Sequence, residues 1–486
     1  MSTPPPARQP VASSIEPVPG AAGHPQSFHV VTFGCQMNAH DSERIRGMLG
    51  GLGMTEAEGH DDADLVVFNT CTIREKPDQK LFNQLDHAKG TKRRRPGQLI
   101  AVGGCLVEAQ KQMLFEQFPW VDVAFGPGQI HELGGYLAGR SGNAVASGAT
   151  PGGDAETGGP DLQGGAGYWG IGDERAFAAE LPVRRERAHQ AWVQISMGCN
   201  MKCAYCIVPS VRGREKSRPC LAIVAEVQRL AAEGVREVTL LGQNVNSWGR
   251  ELPVADRIGF AGLLRAVDAV EGIERVRYTS PHPAHMRDDV IAAMAECPTV
   301  CEQLHLPLQS GSTRVLKAMR RTYSRERFLE LVEKIRAGIP DIALSTDIIV
   351  GFPGETEAEF LETVDVCERV RFDGAYTFIF SPRSGTEAAA LPDLPHAVKQ
   401  ERLEHLIGVV RGIAKERHEA RIGTVQEVLV EGVSRTNAER LRGRTRQNTT
   451  VNFAGSAPEG SLVDVHIVHA SSETLLGRQV EDAPIR

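Results

Sequence analysis

Short apolar runs alternate with polar stretches of helical period along most of the chain. From Phe28 the run FHVVTF leads to a helix predicted from Asp41, DLVVF to one near Pro77, and QLIAV to one from Val107. Strand, loop and helix repeated in this way predict an α/β domain with a parallel sheet. A second series, AWVQIS, EVTLLG, RVRYTS, EQLHLP, IALSTDIIV and GAYTFIF, alternates with amphipathic helices such as those expected over 221–233 and 355–369. Six such units fit an open, partial (βα)6 TIM-like barrel. After a charged helix expected over 397–417, the short runs VQEVLV, NTTVNF, SLVDVHIVHA and SETLLGRQV are separated by Gly, Asn and Ser, which predicts a small closed β-barrel.

The segments between these patterns set the domain boundaries. Residues 1–26 hold seven prolines and few large apolar side chains, so they read as a disordered tail. An N-terminal domain then spans 27–140, and a linker over 141–183 carries a Gly-rich stretch at 141–170. The central barrel occupies 184–417 and the β module 418–486. A chain of 486 residues exceeds one hydrophobic core, in keeping with several domains.

Charge changes the picture locally. The formal net charge is −7, yet basic residues gather at Lys92–Arg95, Arg184–Arg187, Arg212–Arg218 and Arg435–Arg446. Solvated faces account for some of these runs. In the β module, Arg435, Arg440, Arg442, Arg444 and Arg446 are the candidates for neutralising nucleic-acid phosphates. No uncharged apolar stretch approaches the roughly 18 residues that suggest a membrane helix, and no signal-peptide pattern opens the chain. A cytoplasmic protein without a membrane partner is expected, and ten cysteines there argue for metal or redox chemistry rather than a disulfide framework.

Three of those cysteines, Cys199, Cys203 and Cys206, lie in SMGCNMKCAYC just after the first barrel strand, where a βα barrel presents its functional loops. Three thiolates at this spacing suit three corners of a [4Fe–4S] cubane with the fourth iron open. A closed zinc site wants a regularly spaced fourth ligand, and no second CxxC or HxxxH follows. Cys35, Cys71 and Cys105 are far apart in sequence, yet each sits just past a predicted strand. Loops after adjacent parallel strands open on one edge, so these thiols suit a second cubane there. Small buried residues in tight turns are the other reading. Cys220, Cys297, Cys301 and Cys367 show no such placement and read as buried apolar residues.

The CxxxCxxC spacing with Tyr205 before the last cysteine resembles the radical S-adenosylmethionine superfamily. That resemblance implies that S-adenosylmethionine chelates the open iron and is cleaved reductively to a 5′-deoxyadenosyl radical. It also implies cofactor contacts from Tyr205 and from strand ends at Gly242, Gln243, Asn244, Ser280, Gln309, Thr346 and Asp347, although polar strand-end residues are often only helix caps. The GFPGET sequence at 351–356 also reads as a plain strand-to-helix turn.

FGCQMNAHDSERI, NTCTIREKPDQKLFNQL, the GGC turn, the cysteine loop, HLPLQSGS, DIIVGFPGET and the β module together resemble the methylthiotransferase family across nearly all of 28–485. Gln36-Met37-Asn38 is similar to the branch acting on isopentenylated adenosine in tRNA. Branches acting on a ribosomal protein or on threonylcarbamoyladenosine usually begin GCPKN or GCKVN. The family implies an N-terminal methylthiotransferase domain, a radical barrel and a C-terminal TRAM domain, with Cys35, Cys71 and Cys105 holding an auxiliary [4Fe–4S] cluster. It further implies two S-adenosylmethionine molecules per turnover, the tRNA anticodon stem-loop as substrate, and an electron donor such as flavodoxin or ferredoxin. A monomer is expected. The competing readings are methylthiolation of a ribosomal protein and a non-catalytic, RNA-binding iron–sulfur sensor.

Overall fold

The computed structural model describes residues 25–71, 75–110, 113–140, 168–170, 177–178, 181–481 and 485–486. Most of the proline-rich tail and of the Gly-rich stretch therefore lie outside the described residues. The chain forms two compact units, one extending to Arg184 and one running from Arg185 to Arg486.

The first unit is built on six parallel strands in the order Thr55–Glu56, Ser27–Thr32, Leu65–Thr70, Leu99–Gly104, Val123–Phe125 and Tyr168–Gly170. Leu65–Thr70 and Leu99–Gly104 are buried at every position, as apolar runs in a sheet covered on both faces require. Alternate residues serve opposite faces: Leu65 and Val67 pack with Ile45 and Leu49, whereas Val66 and Phe68 pack with Leu81 and Leu85. The helices begin earlier than their apolar pattern suggests, at Gln36, Glu75 and Cys105 rather than near Asp41, Pro77 and Val107. The Gln36–Gly51 helix starts directly after Cys35, an N-cap that makes no side-chain capping hydrogen bond.

In the second unit, all six predicted barrel strands form. Gln190–Gln194, Glu237–Leu241 and Arg275–Tyr278 pair in parallel, as do Gln303–His305, Ala343–Val350 and Gly374–Ile379. A parallel bridge from Val276 to Val300 joins the two trios, giving a partial barrel. One continuous apolar core, including Val193, Leu240, Val276, Leu304, Leu344 and Phe372, lies between these strands and their helices.

A 24-residue helix, His396–Glu419, leads into a closed barrel ordered Val425–Val433, Leu441–Thr445, Thr450–Ala454, Thr474–Gln479 and Leu462–Ala470. Buried guanidinium groups fasten this barrel to the larger one. Arg275 donates to Arg444 O at 2.8 Å and pairs with Glu427 at 2.9 Å, while Arg277 donates to Thr445 O at 2.8 Å and pairs with Glu237 at 3.0 Å.

Candidate functional site

The cysteine loop leaves the first barrel strand through Gly198. Its φ is +75° and a Cβ there would lie 2.2 Å from Arg214 O, so only glycine fits. Cys199 N donates to Gly213 O at 3.1 Å, closing the loop at its base. Ala204 in its middle is tied twice, donating to Met319 O at 3.0 Å and accepting from Ala388 N at 2.8 Å. Cys199, Cys203 and Cys206 then line one cavity of about 650 Å³, with Asn200, Lys202 and Arg214 at its edge.

The donor set fits an iron–sulfur cluster. Burial pushes the Cys199 thiol up to about 11 and the Cys206 thiol up to about 12, so thiolates there need a cationic partner. Hydrogen-bond donors already face the sulfurs: Met201 N lies 3.4 Å from Cys199 Sγ, and Arg321 Nη1 lies 3.5 Å from Cys203 Sγ. Among the described residues no group of three His, Cys, Asp or Glu side chains is gathered as for a single metal ion.

The expected cofactor positions divide by what their side chains do. Gln243 keeps both atoms of a buried amide without a hydrogen-bond partner, and Ser280 and Gln309 hold left-handed backbones with φ of 60° and 67°. Any Cβ at Gly242 would come within 2.4 Å of Ser196 Oγ, so the loop passes tightly there. Tyr205 is half-buried beside the cysteines, and burial raises its phenol above the ordinary range. Asn244 Oδ1 meets His285 Nδ1 at 3.2 Å, and Asp347 pairs with His305 at 3.2 Å. Thr346 is engaged within the fold: its hydroxyl donates to Leu306 O at 2.9 Å and accepts from Leu308 N at 2.9 Å. It pins two strands together, using its one donor and one of its two acceptor lone pairs. The 351–356 turn is likewise structural, with Gly351 N bound to Glu355 at 2.6 Å and a capping box between Thr356 and Glu359.

Arg321, His282 and Asn246 escape the sequence reading. Asn246 grips the His282 backbone from both sides, donating to His282 O at 3.1 Å and accepting from His282 N at 2.8 Å. Ala284 N donates to His282 Nδ1 at 3.2 Å, so the hydrogen of the neutral ring resides on Nε2, which meets no partner among the described residues. Burial, then Arg321 and His285, lowers His282 to about 2. The HP step after a barrel strand is the one sequence signal that marks it.

In the first unit the three remaining expected ligands gather on one sheet edge. Cys35 caps the helix after Ser27–Thr32, Cys71 directly follows Leu65–Thr70, and Cys105 opens the helix after Leu99–Gly104; these strands are neighbours. Gly34, at φ +114°, passes so close that a Cβ would lie 2.3 Å from Cys71 Cβ. Asn38 Oδ1 lies 3.3 Å from Cys35 Sγ, and its amide donates to Thr70 O at 2.8 Å. Three thiols on adjacent loops again suit a cubane with one iron left open.

The basic run of the β module does not act as one surface. Arg446 is taken by Glu302 at 2.7 and 2.9 Å and by Pro298 O and Val300 O at 2.9 and 3.0 Å. Arg444 pairs with Glu431 at 3.0 Å, and Arg442 approaches the same carboxylate at 3.5 Å. These three guanidinium groups therefore face carboxylates of the chain itself. Arg435 is exposed, and Arg440 lines a polar cavity of about 220 Å³ with Asn437, Asn452 and His469.

Three family models match the chain: Uncharacterized protein family UPF0004 over residues 27–126, the Radical SAM superfamily over 193–367 and the TRAM domain over 419–480. A tRNA-2-methylthio-N(6)-dimethylallyladenosine synthase of Acidothermus cellulolyticus is 46% identical, over 96% of this chain and 91% of the relative. Synthase 1 of the same description from Mycobacterium marinum is 46% identical over 93% of this chain and 85% of its own. Among solved structures, the radical S-adenosylmethionine methyltransferase TsrM from Kitasatospora setae, with cobalamin and a [4Fe–4S] cluster bound, has a similar fold. It aligns with a TM-score of 0.50 at 15% identity, covering 83% of this chain and 80% of the other.

Proposed function

The chain belongs to the family of tRNA-2-methylthio-N(6)-dimethylallyladenosine synthases, and from that premise we propose that it exchanges the hydrogen at carbon 2 of an N6-isopentenylated adenosine, beside the tRNA anticodon, for a methylthio group. The observation that carries this reading is the convergence of Cys199, Cys203 and Cys206 on one cavity in the second unit, matched by Cys35, Cys71 and Cys105 on three neighbouring strand ends in the first. Carbon 2 of adenine has no leaving group and little acidity, so acid–base chemistry does not suffice. When bound, the two [4Fe–4S] clusters supply the electron that cleaves S-adenosylmethionine and a site for the sulfur to be transferred.

The residues of the chain have separable parts in this reaction. Cys199, Cys203 and Cys206 hold one cluster, and Cys35, Cys71 and Cys105 hold the other. The unpartnered Gln243 amide and the strained Ser280 and Gln309 turns support cofactor contacts at the barrel mouth. Arg435 and Arg440 contact tRNA phosphates. The target base leaves the anticodon-loop stack to be reached, as enzymes acting on a base require. Two S-adenosylmethionine molecules serve each turnover, and flavodoxin or ferredoxin supplies electrons to a cytoplasmic monomer.

Mass spectrometry of tRNA nucleosides from a strain lacking the gene, with and without complementation by this chain, tests the reading. Methylthiolated isopentenyladenosine restored by the chain supports it. A nucleoside profile that the chain leaves unchanged contradicts it.

A further inference from the structure

The helix Thr313–Ala318 ends at Met319, and the next residue, Arg320, adopts a left-handed backbone with φ of 57°. This reversal gives two consecutive arginines near the cysteine cavity different partners. Arg320 pairs with Glu387 at 2.7 Å, both side chains half exposed at 52% and 53%. Arg321 turns to the cysteine loop instead.

Its guanidinium is held on every side. Nε donates to Tyr323 Oη at 3.0 Å, Nη2 lies 3.5 Å from Pro307 O, and the group stacks over the Tyr323 ring at 5.1 Å. Tyr323 is itself fixed, its hydroxyl lying 2.9 Å from Pro307 O and 3.0 Å from Leu308 O. What remains is Nη1, 3.5 Å from Cys203 Sγ. Among the described residues no carboxylate forms a salt bridge with Arg321, in contrast to Arg320 beside it. The segment is also tied to the loop through Met319 O and Ala204 N at 3.0 Å, so the distance from guanidinium to sulfur is built in. Lys202, Arg214 and Arg320 border the same cavity but are exposed, where solvent screens their charge.

A partly buried cation without a carboxylate partner favours whatever negative charge faces it. Resting on the reading that Cys203 ligates a cluster, we propose that Arg321 is a positioning residue that sets the reduction potential of the cluster held by Cys199, Cys203 and Cys206. One-electron reduction adds a negative charge to the cluster and its thiolates. A fixed guanidinium bonded to a ligating sulfur stabilises the reduced state more than the oxidised one. It makes the cluster easier to reduce before S-adenosylmethionine is cleaved.

The test uses the full chain with Cys35, Cys71 and Cys105 replaced by Ala, so that only this cluster contributes, titrated with dithionite and followed by electron paramagnetic resonance. A background protein that carries no cluster overturns the site reading itself. With the cluster present, Arg321→Gln is expected to keep its iron while the fraction reduced at a fixed potential falls severalfold, and Arg321→Lys is expected to recover most of it. A midpoint unchanged in Arg321→Gln overturns the proposal. If Arg321→Gln loses iron, Arg321→Lys decides. An intact cluster reduced as in the parent supports the role of the charge, and an intact cluster with a lowered midpoint overturns it. Iron loss from both variants also overturns it, because the side chain then merely holds the loop together.

Discussion

Asn38 and Asn69 hold each other across two neighbouring strand ends. The Asn38 amide donates to Asn69 Oδ1 at 3.2 Å, and the Asn69 amide donates to Asn38 O at 2.8 Å and to Ser42 Oγ at 2.9 Å. Both side chains are buried, and Asn38 also reaches Cys35 Sγ and Thr70 O. The pair thereby sets the loops of Cys35 and Cys71 relative to one another. Asn69→Ala removes three buried hydrogen bonds, each contributing about 0.5–1.5 kcal/mol. A lowered melting temperature is expected, with iron lost from the first unit while the cluster at Cys199 persists. Equal iron loss from both sites would show that the pair stabilises the chain generally and has no special part in the ligand loops.

The two cysteine sets are expected to fail differently. Cys199→Ala should abolish release of 5′-deoxyadenosine from S-adenosylmethionine under reducing conditions. Cys71→Ala should preserve that release and stop methylthio incorporation into tRNA. Chromatography of the cleavage product beside nucleoside mass spectrometry separates the two effects, and loss of cleavage in both variants would remove the division of labour.

The arginines of the β module make a third contrast. Arg440→Ala and Arg435→Ala should weaken tRNA binding and leave the melting temperature unchanged. The slope of log affinity against log salt should fall by roughly one for each phosphate that is no longer neutralised. Arg446→Ala removes the Glu302 pair and two carbonyl partners, so it should lower the melting temperature. An Arg446 variant that melts like the parent but binds tRNA more weakly would return that residue to the phosphate surface.

Acid should destabilise the second unit through its buried histidines. Burial holds His282 at about 2 and His285 at about 4, below the usual 6.5, so the unfolded chain takes up protons first as the pH falls. The stability they contribute is whole above pH 6.5 and declines below it, by up to about 1.4 kcal/mol per pH unit for His282 and by less for the more exposed His285. Melting temperatures measured from pH 7.5 down to 5.5 should fall less steeply in His282→Gln than in the parent. Identical slopes would mean that His282 titrates near its usual value.

These contrasts follow the line between what the sequence reveals and what it hides. The six barrel strands are legible because each is a short run rich in apolar residues in a parallel sheet, fully buried at Glu237–Leu241 and half-buried at Gly374–Ile379, and a pattern of that kind needs no knowledge of distant residues. The cysteine loop is legible for the same reason, since its three thiols are local. The start of the helix at Gln36 is not, because Cys35 is no usual capping residue and caps it without a side-chain hydrogen bond. Arg446 reads as one more cation in a basic run because Glu302 lies 144 residues away. Arg321 is invisible in the same way, with Cys203 118 residues away. Thr346 reads in the sequence as a cofactor contact, and only the packed strands show its hydroxyl bonded to Leu306 O and Leu308 N.

Two separate three-cysteine clusters, one in each unit, are tested most directly by counting iron and labile sulfide in anaerobically reconstituted protein. About eight irons per chain are expected in the parent, with about four in the Cys199→Ala, Cys203→Ala, Cys206→Ala triple variant and about four in the Cys35→Ala, Cys71→Ala, Cys105→Ala variant. A parent that holds only about four irons, all lost with the first triple substitution and none with the second, would contradict the auxiliary cluster and with it the proposed sulfur transfer.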